Sequence, residues 1–170
     1  IRLLILAREF STESGSIDAL GIDKEGELYL IETKLYKNAD KRTVVAQVLD
    51  YGAALWSHFR DFNDFVEQIN NHTQKDFQQT LSQRIYDFFG LSEEEISSLL
   101  QNIKTNIKSA NFKFVVLRDQ LHDKLKDLII FLNNNSEFTI YAVELEYYKY
   151  QDFEITIPKL FGTEVKKDIG

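Results

Sequence analysis

The chain has 170 residues, 44% hydrophobic and 13% aromatic, with a formal net charge of −7; this is enough to bury one core, and a single domain over 1–170 is expected. It contains no cysteine and only three well-separated histidines, His58, His72 and His122, which excludes disulfides and thiolate metal centres and argues against a zinc cluster. No apolar run is long enough to span a bilayer and no signal-peptide pattern opens the chain, so a cytoplasmic protein without membrane association is expected.

Residues 3–10, 16–22 and 27–35 are three strand-forming runs separated by short polar turns, the pattern of an antiparallel meander. The second turn, Asp23-Lys24-Glu25-Gly26, predicts a hairpin loop of two to four residues with glycine available for a positive φ. Side chains alternate along a strand, so Leu28, Leu30, Glu32 and Lys34 share one face and Tyr29, Ile31 and Thr33 the other. From 40 to about 59 the period becomes helical. Val44, Val48, Tyr51 and Leu55 form an apolar stripe there, with Gln47 on its edge one turn before Tyr51.

Residues from about 60 to 110 read as a helical insertion with helices at 61–69, 76–89 and 92–107. Gly90 ends the second of these, and Ser92 with Glu95 forms a capping box that opens the third. Phe62, Phe65, Phe77, Tyr86, Phe88 and Phe89 recur at helical spacing and are read as core rather than as stacking platforms. A strand at 112–117, a helix at 122–132 stopped by Asn133-Asn134-Asn135, and a strand at 138–145 make a parallel crossover unit. A further edge strand at 153–157 precedes Pro158. The sum is an α/β fold: a mixed sheet, meander plus parallel crossover, flanked by helices.

The chemistry concentrates on the second and third strands. If the hairpin brings Asp18 beside Glu32, the two carboxylates repel and a cation must offset that repulsion. Mg²⁺, with Mn²⁺ as a substitute, suits hard oxygen ligands and is held by one or two carboxylates plus substrate phosphate oxygens. Lys34 then stands beside the ion, where nearby positive charge lowers its pKa and the amine orients water or stabilises charge on phosphate. Acid, acid-x-lysine and glutamine-x-x-x-tyrosine, in that order, are what a metal-dependent phosphodiesterase needs. The competing reading is a structural ion pair of Lys34 with Glu32 or Asp18 at the sheet edge, worth little net stability. No glycine-rich phosphate loop or nucleophile elbow is present, and no histidine falls near these residues.

These residues resemble the PD-(D/E)XK nuclease superfamily, the restriction-endonuclease-like fold. Arg8-Glu9-Phe10, Gly15-Ser16-Ile17-Asp18, Leu28-Tyr29-Leu30-Ile31-Glu32-Thr33-Lys34 and Val45-Ala46-Gln47-Val48-Leu49-Asp50-Tyr51 are similar to its RecB-like and archaeal mismatch-nuclease-like members, over residues 8–55. The resemblance implies that Asp18 and Glu32 bind the metal, with the Thr33 backbone carbonyl a third ligand and Lys34 the catalytic lysine. It also implies that Gln47 and Tyr51 support the substrate side. Ile17 stands where many members have proline. Members commonly add an acid from a helix ahead of the first strand; here Glu9, read at a strand end, is the nearest candidate. The chain has no methionine even at position 1, which points to a fragment or to omitted modified residues, so an N-terminal helix is expected to be missing.

The negative net charge speaks against binding nucleic acid by bulk electrostatics. Lys34, Lys37, Lys41 and Arg42 nevertheless cluster after the third strand, and Lys37, Lys41 and Arg42 are the candidate nucleic-acid contacts. A second group, Lys104, Lys108 and Lys113, is read as an ordinary solvated face. The expected activity is endo- or exonucleolytic hydrolysis of phosphodiester bonds, in DNA rather than RNA. The alternatives are an inactive nuclease-fold module that binds nucleic acid or a protein, and an interaction domain whose aromatic insertion forms a homodimer.

Overall fold

The structure, a computed structural model, describes residues 2–34 and 41–161, the side chains of Lys41 and Arg42 excepted. In chain order the elements are β1 (Leu4–Thr12), β2 (Gly15–Ile22), β3 (Leu28–Lys34), α1 (Lys41–His58), α2 (Phe62–Phe77), α3 (Leu81–Phe89), α4 (Glu93–Lys108), β4 (Phe112–Arg118), α5 (Asp123–Asn135), β5 (Thr139–Tyr150) and β6 (Phe153–Phe161). The strands form one mixed sheet in the order β1-β2-β3-β4-β5-β6. β1, β2 and β3 are the antiparallel meander, β3, β4 and β5 run parallel, and β6 returns antiparallel. The protein is therefore α/β, with helices flanking a mixed sheet. Among the described residues no helix is long and apolar enough to cross a membrane.

Alternation decides what each strand buries. On β4, Phe112, Phe114, Val116 and Arg118 are buried while the residues between them are half-buried, the period of a strand with one face against a core. The α1 stripe predicted from Val44, Val48, Tyr51 and Leu55 is buried throughout. Gly52 lets this helix approach the sheet, since a Cβ there would meet the Phe114 ring at 2.7 Å.

The β2–β3 loop differs from the expected length. Ile22 pairs with Leu28, so the loop holds the five residues from Asp23 to Glu27. Asp23 organises it: one carboxylate oxygen accepts from the amides of Glu25 and Glu27, and the other from the Tyr29 hydroxyl. Gly26 takes φ 82 as anticipated, and a Cβ there would lie 2.8 Å from the Leu99 carbonyl oxygen of α4. Asn102 and Asn106 on α4 donate to the carbonyls of Glu25 and Gly26. The helical insertion is thus docked on the hairpin that carries the candidate site.

Several element boundaries move. The helix read over 76–89 is split: α2 runs on to Phe77 and ends in left-handed Gln78, and Thr80 opens α3 with its own capping box to Gln83. The asparagine triplet does not stop α5, because Asn133 is 5% exposed and its side chain exchanges two hydrogen bonds with the Ile140 backbone. β5 and β6 extend well past their predicted ends, and β6 continues through Pro158 opposite Leu145. Pro158 is tolerated because β6 is the sheet's edge and a missing N–H there costs no ladder bond on the open side.

Candidate active site

The β2–β3 ladder pairs Leu20 with Leu30 and Ala19 with Ile31 and goes no further. The next two side chains in that register are Asp18 and Glu32, on the same face as Leu20 and Leu30. Past the last pair a side chain takes over: an Asp18 carboxylate oxygen (Oδ2) accepts from the Thr33 amide at 2.7 Å. The structure therefore brings the two predicted carboxylates together where the strands part. Of Thr33, it is the amide that contacts Asp18, and that contact was not foreseen.

Glu32 is only 1% exposed. Its Oε1 lies 2.8 Å from the Lys34 ammonium, while Oε2 is buried without a hydrogen-bond partner. Burial pushes the Glu32 pKa up, the neighbouring Asp18 charge adds to that, and the Lys34 hydrogen bond opposes it. Lys34 is itself held above its ordinary value, chiefly by the hydrogen bond to Glu32 and against the effect of burial. The raising follows from the anionic partner at 2.8 Å; the lowering expected beside a bound cation concerns the metal-loaded site.

Gln47 and Tyr51, one helical turn apart, meet directly, with the amide donating to the tyrosine hydroxyl at 2.6 Å. Tyr51 is buried and packs on the start of β2, where a Cβ on Gly15 would stand 3.4 Å from its ring. It is also close enough to Lys34 to contribute to that lysine's shift. The pair therefore walls the site on the α1 side.

Other predicted residues fall elsewhere. Glu9 is inside β1 rather than at its end; it is exposed, with φ 50. The flanking pairs Arg8 with Ala19 and Phe10 with Ile17 put it in line with Asp18. Among the described residues, however, no group of three or more His, Cys, Asp or Glu side chains is arranged to hold a metal, so Glu9 does not complete a three-carboxylate set. Lys37 and the side chains of Lys41 and Arg42 lie outside the described residues.

One charged residue was missed. Arg118 ends β4 as the register partner of Lys34, is 2% exposed, and leaves Nε and Nη1 buried without partners. Its other neighbour across the sheet, Glu144, accepts instead from the Leu121 amide at 2.7 Å, and no ion pair joins Arg118 to a described residue. The signal was the Phe112, Phe114, Val116 alternation carried one step further, which the shorter predicted strand cut off. The face of the sheet here thus presents two acids, Asp18 and Glu32, and two bases, Lys34 and Arg118.

Two carboxylates, one with a buried oxygen lacking any donor, form a donor set that suits an ion which keeps several waters and takes the rest of its ligands from phosphate, as Mg²⁺ does. The chain matches no family model, no curated protein and no solved structure.

Proposed function

We propose that this chain is a divalent-metal-dependent phosphodiesterase of the PD-(D/E)XK type that cleaves DNA. The observation that carries the reading is the orphaned, buried oxygen of Glu32 beside Asp18. An unpartnered carboxylate oxygen costs free energy when desolvated, and such groups cluster at functional sites. Asp18 and Glu32 would hold Mg²⁺, or Mn²⁺ in its place, with the Thr33 carbonyl available as a further ligand. When bound, the ion would supply Lewis-acid polarisation of a phosphate oxygen and a more acidic water.

The remaining work falls to the chain. Lys34, kept charged by Glu32, is in position to orient a water and to stabilise negative charge gathering on the phosphate oxygens. Arg118 adds fixed positive charge on the same face, and its unpaired donors match the geometry of phosphate. Tyr51 packs α1 against Gly15, and the Gln47 amide holds its hydroxyl.

The test is cleavage of single-stranded, duplex, flapped and mismatched DNA, with RNA alongside, in Mg²⁺ or Mn²⁺. Activity on at least one DNA form, lost in Asp18→Ala and in Lys34→Ala, is the expected result; no cleavage of any substrate overturns the reading. A second reading, an inactive module of the same fold, is favoured by the closed Lys34–Glu32 pair and by the lack of a third acid among the described residues. Calorimetric titration with Mn²⁺ separates the two. Catalysis requires an ion-binding step that Glu32→Ala abolishes, whereas the inactive module need not bind an ion.

A further inference from the structure

The second lysine group does not stay together in the fold. Lys113 leaves it to pair with Glu27 at 3.4 Å. Lys104 and Lys108, on the last turns of α4, instead join Arg60 around a cleft of about 390 Å³. Trp56, Phe59, Phe62 and Ile107 supply its apolar wall, and no acidic residue lines it. In a chain of net charge −7, three cations around an aromatic wall without a carboxylate is a local reversal of sign, and it selects for an anion.

Trp56 gives the cleft its shape. Its indole N–H donates to the Lys108 carbonyl at 3.2 Å, which fixes the ring between α1 and the end of α4, and 51% of the residue remains exposed. The flat face of an anchored indole binds another flat ring by stacking, and the cations at its rim bind charge attached to that ring. Lys104, Lys108 and Arg60 are not ion-paired to any described residue, so no internal carboxylate competes for them. Cations on the last turn also complement the α4 dipole, but that role does not account for Arg60 or for the exposed indole.

We infer that this cleft takes one unpaired nucleotide of a nucleic-acid strand, with its base on Trp56 and its phosphate among Arg60, Lys104 and Lys108. A planar ring carrying an anion is the chemistry the lining selects. The choice of a strand over a free nucleotide rests on the proposed nuclease activity, for which the cleft would be a second, non-catalytic grip on the substrate.

Trp56 is the only tryptophan, so its emission reports the cleft directly. The experiment titrates the full chain, in EDTA, with a single-stranded oligonucleotide of about eight nucleotides. A saturable change in emission is expected, with affinity falling about tenfold or more at low salt in the Lys104→Glu, Lys108→Glu double variant. Both positions are exposed, and circular dichroism of the variant checks that it remains folded. An unchanged emission, or equal affinity in the double variant, overturns the inference. Equal affinity for a free mononucleotide, or for a blunt duplex, overturns the choice of an unpaired strand.

Because EDTA removes metal chemistry, the titration reads the cleft alone, and comparing it with cleavage by the parent chain in Mg²⁺ separates the two proposals. Binding without any cleavage by the parent chain sinks the nuclease and leaves the cleft. Cleavage without an emission change does the opposite.

Discussion

Positive charge is held in two opposite ways in this molecule. On the sheet, Lys34 contacts Glu32 at 2.8 Å, Asp18 accepts from the Thr33 amide, and Arg118 stands in register with Lys34, with Glu32 and Arg118 almost fully buried. In the Trp56 cleft, Arg60, Lys104 and Lys108 are exposed and act only through their sum. The difference teaches that individual geometry matters in the first region and net sign in the second. Charges in a desolvated pocket interact strongly at short range, while exposed ones are screened by salt within a Debye length of about 8 Å at physiological ionic strength.

The largest expected effect breaks the buried region. Asp18→Ala should lower the proposed metal-dependent cleavage by about 10²-fold or more, the scale on which transition-state electrostatic contacts act, with circular dichroism unchanged. Retention of full activity would show that the carboxylates are only structural.

Next in size is packing around that region. Gly52→Val must displace the Phe114 ring, which already lies within 3 Å of the added Cβ, and should cost about 1–3 kcal/mol as overpacking. Its melting temperature should drop accordingly. A variant as stable as the parent would show that α1 can lift away from the sheet.

The buried region also responds to pH. Glu32 has a pKa raised above its ordinary 4.5, so over the interval above that value the folded chain holds a proton that the unfolded chain has released. Its contribution to stability is therefore present below 4.5 and is lost as pH rises through the raised folded value. Glu32→Gln removes this loss. The melting temperature of the variant relative to the parent should rise between pH 4.5 and about neutrality, in EDTA. A difference that stays flat with pH would mean that Glu32 is not desolvated. Lys34 is also raised, so its contribution is likewise lost as pH rises, but only above its ordinary 10.5, outside this range.

The smallest effect sharpens the contrast. Lys104→Glu with Lys108→Glu should change folding stability by no more than about 0.5 kcal/mol per site, as exposed substitutions do, while moving strand binding and its salt dependence. A melting temperature that falls as far as for Gly52→Val would place these lysines among the structural contacts instead.

Much of the fold was legible from local signals. The strand runs, the α1 stripe, the Ser92–Glu95 box and the turns at Gly26 and Gly90 all depend on residues a few positions apart. What failed was also local but weaker: Asn133 looked like a helix stop because asparagine usually competes with the helix backbone. In the fold it satisfies both polar groups of Ile140 instead. At the site, alternation alone put Glu32 and Lys34 on one face. Whether Asp18 joined them hung on the loop register, because shifting a strand by one residue reverses every side chain, and the loop proved longer than foreseen.

Local order alone sets Glu32 beside Lys34 and Gln47 beside Tyr51, since backbone periodicity settles which near neighbours share a face. That Arg118 stands beside Lys34, and that Trp56, Arg60, Lys104 and Lys108 share a cleft, follows from the packed fold and from no local pattern. Those residues come from segments far apart in the chain, and their meeting depends on parallel strand pairing and helix docking, which minimise exposed apolar area over the whole molecule rather than within any one segment.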